Sequence, residues 1–162
     1  MTGRPERRLS HLDERGAARM VDVSGKTPTG RTATASGAVH TTSEVIGLIA
    51  SAGLPKGDAL ATARVAGILA AKRTSELIPL CHPIALTGVD VDFCVAETAI
   101  EITATARTTD RTGVEMEALT AVTVSALTVY DMIKAVDPAA RIDGICLVRK
   151  EGGKTGLWMS QP

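Results

Sequence analysis

Two neighbouring stretches, GVDVDFCVAE at 88–97 and AIEITATARTT at 99–109, alternate apolar and polar residues almost without interruption. Successive side chains of a strand point to opposite faces. Val89, Val91, Phe93 and Val95 therefore share one face, with Asp90, Asp92 and Cys94 on the other. Ile100, Ile102, Ala104 and Ala106 line up in the same way. A few residues around 97–98 join the two stretches. The pattern predicts a β-hairpin with one buried face, and that face needs helices to cover it.

The covering helices are legible. TGVEMEALTAVTVSALTVYDMIKAV, 112–136, reads as one long helix that ends before Pro138. TTSEVIGLIASAG reads as a short helix stopped by Gly53. LPKGD is a loop, after which Asp58 caps a helix through the alanine-rich ALATARVAGILAAKR. RMVDVSGK and RTATASGAV are short and strand-like, with a turn at 27–30 between them. ICLVRK predicts a last short strand, followed by the glycine-rich EGGKTG. Strands with helices spread unevenly between them predict an α+β fold, an antiparallel sheet with helices mainly on one face. Residues 1–17, polar and rich in Arg, Glu and Gly, are expected to be a mobile tail. A single domain is expected over 18–157, with a frayed end at 158–162. There is no internal repeat.

Composition narrows the function. A chain of 162 residues suggests one domain, large enough to fold around its own core. Eighteen basic and 18 acidic residues cancel, so the net charge offers no attraction for nucleic acid or an anionic membrane. Phe93, Tyr130 and Trp158 are the only aromatic residues, too few for a base-stacking platform. Cys81, Cys94 and Cys146 are odd in number and widely spaced, which predicts a reducing, cytoplasmic setting. No apolar leader follows the basic N-terminus, and no uninterrupted apolar run approaches about 20 residues.

ELIPLCHP, 76–83, ends an apolar run in Cys81, His82 and Pro83. Neighbouring side chains seldom converge on one metal ion, and a base must point at its thiol to activate it. A proline-stabilised turn with Cys81 packed as a small apolar residue is the plainer reading. Val65, Ile68 and Leu69 form an apolar stripe at helical spacing, and Lys72 continues it. A lysine there either meets an anion or snorkels from the helix end. Lys56 lies beside Gly57 in a loop, which is an ordinary place for a surface lysine. EGGKTG lacks the first glycine of a nucleoside-triphosphatase loop, since position 148 is Val148, and no helix follows. Lys150 and Lys154 could still meet a phosphate there, or lie on a solvated tail. Asp131 and Lys134 interrupt the apolar LTVYDMIKAV three residues apart, which predicts a partly buried pair able to move protons. Glu115 and Glu117 sit at the start of the same helix, where its dipole favours carboxylates. Glu117 and Asp131 share nearly one helix face but lie about 21 Å apart along the axis. Both could serve one site only if it lay between two chains.

The segments KGDALATARVAGILAAKRTSELIPLCHP, TGVEMEALTAVTVSALTVYDMIKAVD and KEGGKTG together closely resemble the MoaC family of cyclic pyranopterin monophosphate synthases, which act in molybdenum cofactor biosynthesis. The resemblance runs over about 20–156. It implies a ferredoxin-like α+β subunit, assembled into a hexamer as a trimer of dimers. It implies a lyase acting on (8S)-3′,8-cyclo-7,8-dihydro-GTP, the product of a radical-SAM partner enzyme, and releasing cyclic pyranopterin monophosphate and pyrophosphate. Carried over by motif, Asp131, Lys134 and Lys56 are the catalytic residues. Leu80, Cys81, His82, Met116, Glu117 and Glu115 contact the substrate, and Lys72, Lys150 and Arg31 lie near its phosphates. The resemblance makes ELIPLCHP a substrate-binding turn, neither a metal site nor a thiol nucleophile. No cofactor is required, with Mg²⁺ left open as a helper. Leu60 in DALATAR departs from the bulkier residue of many members and bears only on local packing. The competing functions are a non-catalytic nucleotide-binding regulator and an oligomeric scaffold. The Asp131–Lys134 pair argues against the first, and Lys72 on its apolar stripe against the second.

Overall fold

The alternating segments form the hairpin their pattern requires. In the computed structural model, which describes residues 12–13, 15–54, 56–153 and 156–161, strand β2 (Leu86–Val95) pairs antiparallel with β3 (Ala99–Asp110). In β3, Ile100, Ile102, Ala104 and Ala106 are all fully buried. In β2 only Val91 is, and Val95 is 42% exposed. The difference follows from position: β2 is the edge of the sheet, and the covering helix lies over its centre.

Strand β1 (Thr29–His40) lies beside β3, and β4 (Arg141–Glu151) lies on its other side. All neighbours are antiparallel, in the order β2-β3-β1-β4, with a short β5 (Trp158–Met159) beyond β4. Helices α1 (Ser43–Ala50), α2 (Ala59–Ala71) and α3 (Thr74–Leu77) connect β1 to β2, and α4 (Glu115–Ile133) connects β3 to β4. This is the split β-α-β arrangement of the ferredoxin-like class. Thr42 caps α1 through Val45 N, and Asp58 caps α2 through Ala61 N. Gly53 N bonds back to Leu48 O and closes α1 as expected.

Helix α4 is the core of the molecule. It packs on β1, β3 and β4, and α2 packs against it. Its 19 residues are long and apolar enough to span a membrane by length and composition, yet Ala118, Ala121, Val122, Ala126, Val129 and Ile133 are buried within the domain. The packing is close because the contacting residues are small. A Cβ on Gly67 would lie 2.2 Å from Ser125 Oγ and 2.9 Å from the Ala121 carbonyl oxygen. A Cβ on Gly37 of β1 would meet Val122 Cγ1 at 2.9 Å. Leu60 is half-buried against this core, so the departure in DALATAR is accommodated by packing.

Several expectations are corrected. The segment at 19–26 is not a strand; it is a turn-containing strap held by Lys26 N to Val23 O and Arg111 Nε to Lys26 O. Its alternation is too short and too exposed to recruit a neighbour. The final strand is not short, because β4 begins at Arg141. Within the end expected to fray, 158–159 pair instead: Trp158 faces Lys150, and Met159 faces Arg149, while residue 162 lies outside the described residues. Two residues of the α2 stripe face outward, Val65 58% and Leu69 52% exposed, while Ile68 packs half-buried against the core. Ala63, Gly67, Ala70 and Ala71 form the buried face, because only small residues fit against α4. Of the expected tail, 1–11 and 14 lie outside the described residues. Leu12 and Ala18 form a β-bridge around a turn that Asp13 caps.

Candidate functional site

The two ends of α4 carry two groups of polar side chains. At the C-terminal end, Asp131 lies between two lysines. Lys56 Nζ is 2.7 Å from its Oδ2 and also donates to its backbone carbonyl at 2.9 Å. Lys134 Nζ is 2.7 Å from its Oδ1. The sequence places Lys134 one helical turn away, but only the fold brings in Lys56, 75 residues back. Gly57 beside it adopts a φ of +87°, a conformation that shapes the loop presenting Lys56. Hydrogen bonds from Lys134 and then Lys56 hold the Asp131 carboxyl down at about 2. Asp131 raises Lys134 in return. The pair is more exposed than expected, with both side chains about half exposed. The apolar stretch around them faces the sheet, and these residues sit on its outer side.

At the N-terminal end of α4, Glu115, Met116 and Glu117 meet the turn that follows α3. Leu80, Cys81, His82, Glu115 and Met116 line one cleft of about 400 Å³, together with Ile78, Ile84 and Thr112. Glu117 lies behind its wall, 2% exposed, with Oε2 lacking any hydrogen-bond partner among the described residues. The Cys81 thiol donates to Oε1 at 3.9 Å. Burial pushes the Glu117 carboxyl up, with the charge of Glu115 adding to it. Burial, then the charge of Glu117, pushes the Cys81 thiol up, the opposite of what a thiolate nucleophile needs. Among the described residues, no three His, Cys, Asp or Glu side chains gather as a metal site.

A second, more polar cleft adjoins the first through Gly113 and Glu115. Lys150 of β4 bonds Glu115 at 3.0 Å. Arg31 of β1 lies across from Gly152 and Gly153, its Nε buried without a partner among the described residues. Here the glycines of EGGKTG have a physical explanation. Gly152 has φ +101°, and a Cβ on it would lie 2.2 Å from the Gly30 carbonyl oxygen. A Cβ on Gly153 would strike Arg31 Nη1. The double glycine makes room for the guanidinium. Lys154 lies outside the described residues.

The fold thus brings Leu80, Cys81, His82, Glu115, Met116, Glu117, Lys150 and Arg31 together and, separately, Lys56, Asp131 and Lys134. About 21 Å of helix divides the two groups. Lys72 joins neither by contact. It is the exposed C-cap residue of α2, and no ion pair holds it among the described residues. Antiparallel packing, with Lys56 at Asp131 and Gly67 at Ala121, leaves Lys72 toward the N-terminal end of α4. Sequence reasoning did not find Ile78, Ile84 and Thr112, which are loop residues without a pattern. It also missed the bond between the His82 ring and the Val21 carbonyl, 61 residues apart.

A ferredoxin-like α+β domain with a largely apolar cleft, joined through Glu115 to a polar one that carries both acidic and basic side chains, defines the class. Within that class, the chain belongs to the MoaC family, whose sequence model matches residues 20–153. It is 70% identical over 150 residues to cyclic pyranopterin monophosphate synthase 2 of Mycobacterium tuberculosis, covering 93% of this chain and 90% of that one. It is 64% identical to the cyclic pyranopterin monophosphate synthase of Streptomyces coelicolor, covering 95% and 91% of the two chains. For the synthase of Novosphingobium aromaticivorans the identity is 56%, covering 93% and 96%.

Proposed function

We propose that this chain is a cyclic pyranopterin monophosphate synthase of molybdenum cofactor biosynthesis. It converts (8S)-3′,8-cyclo-7,8-dihydro-GTP to cyclic pyranopterin monophosphate and pyrophosphate. The observation that carries this reading is 56–70% identity, over nearly the whole chain, to relatives bearing that name. The geometry supports it. The apolar cleft at Leu80–His82 and Met116 suits a heterocycle. The cleft with Arg31 and Lys150 suits the phosphates, with Lys72 a further cation nearby.

Asp131, with Lys134 and Lys56, is the acid–base centre of this reading. Flanked by two lysines, Asp131 is a carboxylate at neutral pH and a weak base. An arriving triphosphate competes for those lysines. Drawing one away raises the Asp131 pKa and makes the carboxylate a better proton acceptor. A lysine ammonium can return the proton as the ring is rebuilt. Attack of a hydroxyl on the α-phosphorus then expels pyrophosphate, and the cations offset the charge that develops.

The enzyme works in the cytoplasm on the product of a radical-SAM enzyme, requires no cofactor, and accepts Mg²⁺ as a helper at most. It assembles as a hexamer, a trimer of dimers, with each site formed where the Asp131 end of one α4 meets the cleft end of another. The 21 Å between the two groups in one chain supports the shared site. Incubating the purified protein with the cyclised GTP tests the reading. Pyrophosphate release is expected, and tight binding without release would instead favour a nucleotide-binding regulator.

A further inference from the structure

His82 lines the apolar cleft, and its ring is held from outside the cleft. Nε2 lies 2.7 Å from the carbonyl oxygen of Val21. A carbonyl only accepts, so the proton of this bond resides on Nε2. In a neutral imidazole the other nitrogen, Nδ1, then carries a lone pair, and no hydrogen bond engages it among the described residues. The segment bearing Val21 is shaped by its own turn and tied to the domain beside it. Ser24 N donates to Asp22 Oδ1 at 2.8 Å and Lys26 N to Val23 O at 3.0 Å within the segment, and Arg111 Nε, just past β3, donates to Lys26 O at 3.0 Å. The strap at 19–26 is therefore not an idle lead-in to β1. Its backbone holds one ring nitrogen of a cleft residue.

We infer that the Val21 carbonyl fixes His82 as the Nε2–H tautomer, so that Nδ1 serves the cleft as a hydrogen-bond acceptor for an N–H or O–H of the ligand's heterocycle or sugar. A phosphate oxygen is itself an acceptor and would meet this lone pair with repulsion. The surroundings agree, because Ile78, Leu80, Ile84 and Met116 share the cleft with His82, while Arg31 and Lys150 stand in the neighbouring one. The inference fixes the direction in which the ligand lies, with its ring at the PLCHP turn and its phosphates toward β1 and β4. The strap acts as a positioning element, through His82. Naming the ligand rests on the proposed function, but the tautomer does not.

The test is nitrogen-15 NMR of the full-length protein labelled at histidine, with the His82 signals identified by their loss in His82→Gln. Without ligand, one Nε2–H proton protected from exchange and a through-space contact to the Val21–Asp22 backbone are expected. Asp131→Asn protein then receives either the cyclised GTP or inorganic tripolyphosphate. The nucleotide should move the Nδ1 signal, and tripolyphosphate should leave it in place. His82→Gln keeps a donor for Val21 but offers no acceptor at Nδ1, and its kcat/KM should fall at least about tenfold. A proton on Nδ1, a rapidly exchanging ring N–H, an equal response to tripolyphosphate, no response to the nucleotide, or unchanged kcat/KM in His82→Gln each overturns the inference. Absence of pyrophosphate release by the wild type would instead overturn the function, leaving the ligand-free tautomer result standing.

Discussion

At Asp131 a single carboxylate takes on a defined state through two lysines, one a turn away in sequence and one delivered by the fold. Asp131→Asn keeps the shape and removes the proton acceptor. It should leave the melting temperature nearly unchanged and lower pyrophosphate release by roughly 10²-fold or more; near-native turnover would take Asp131 out of the mechanism. Cys81 stands in the opposite state, a neutral thiol against a buried carboxyl. Cys81→Ser should retain most of the activity, and its complete loss in a folded protein would restore the nucleophile reading. Glu117 permits a test by pH. Burial raises its folded pKa above the ordinary 4.5, so the folded state holds a proton that the unfolded state releases. Stability is then full below about 4.5 and declines as pH rises toward the folded pKa. Glu117→Gln cannot ionise. Its melting temperature relative to wild type should rise from pH 4 to pH 7, and a difference independent of pH would contradict the assignment.

Between elements, the α2–α4 contact depends on Gly67, with no room for a Cβ against the Ala121 carbonyl and Ser125. Gly67→Ala gains helix propensity but overpacks this contact. A net loss of about 1–3 kcal/mol is expected from denaturant unfolding, and an unchanged midpoint would show that the helices can separate freely. The contact also matters to the site, because α2 follows directly on the loop that presents Lys56 to Asp131. The periodicity of β3, α2 and α4 was legible because each has one face against the core. The stripe on α2 differs from its periodicity. Val65, Ile68 and Leu69 recur at helical spacing, yet only Ile68 packs on the core; the smaller Ala63 and Gly67 take the closest contact with α4, because closeness of packing, which periodicity does not register, favours them.

For the whole molecule, the two groups at opposite ends of α4 become one reaction centre only in the proposed dimer. Lys150→Ala removes a cation from the cleft end without cutting into the core, and Asp131→Asn disables the other end. Each should be nearly inactive alone. Mixed with verified subunit exchange, some dimers carry both changes in one site and neither in the other. Activity should return toward roughly one quarter of wild type for random pairing. If exchange restores nothing, each site is complete within one chain.

The chain by itself determined the hairpin, the long helix, the cap at Asp58 and the stop at Gly53, and the motifs that mark the family. All of these rest on local preference or short-range periodicity, which a linear reading captures. Only tertiary structure decided that Lys56 reaches Asp131, that Gly152 and Gly153 make room for Arg31, and that Glu117 is buried against Cys81. It alone brought the Val21 carbonyl to His82. Each of these contacts joins residues far apart in the chain or depends on what surrounds them. Their energies come from burial and charge at close range, and neither is present until the sheet and helices have packed.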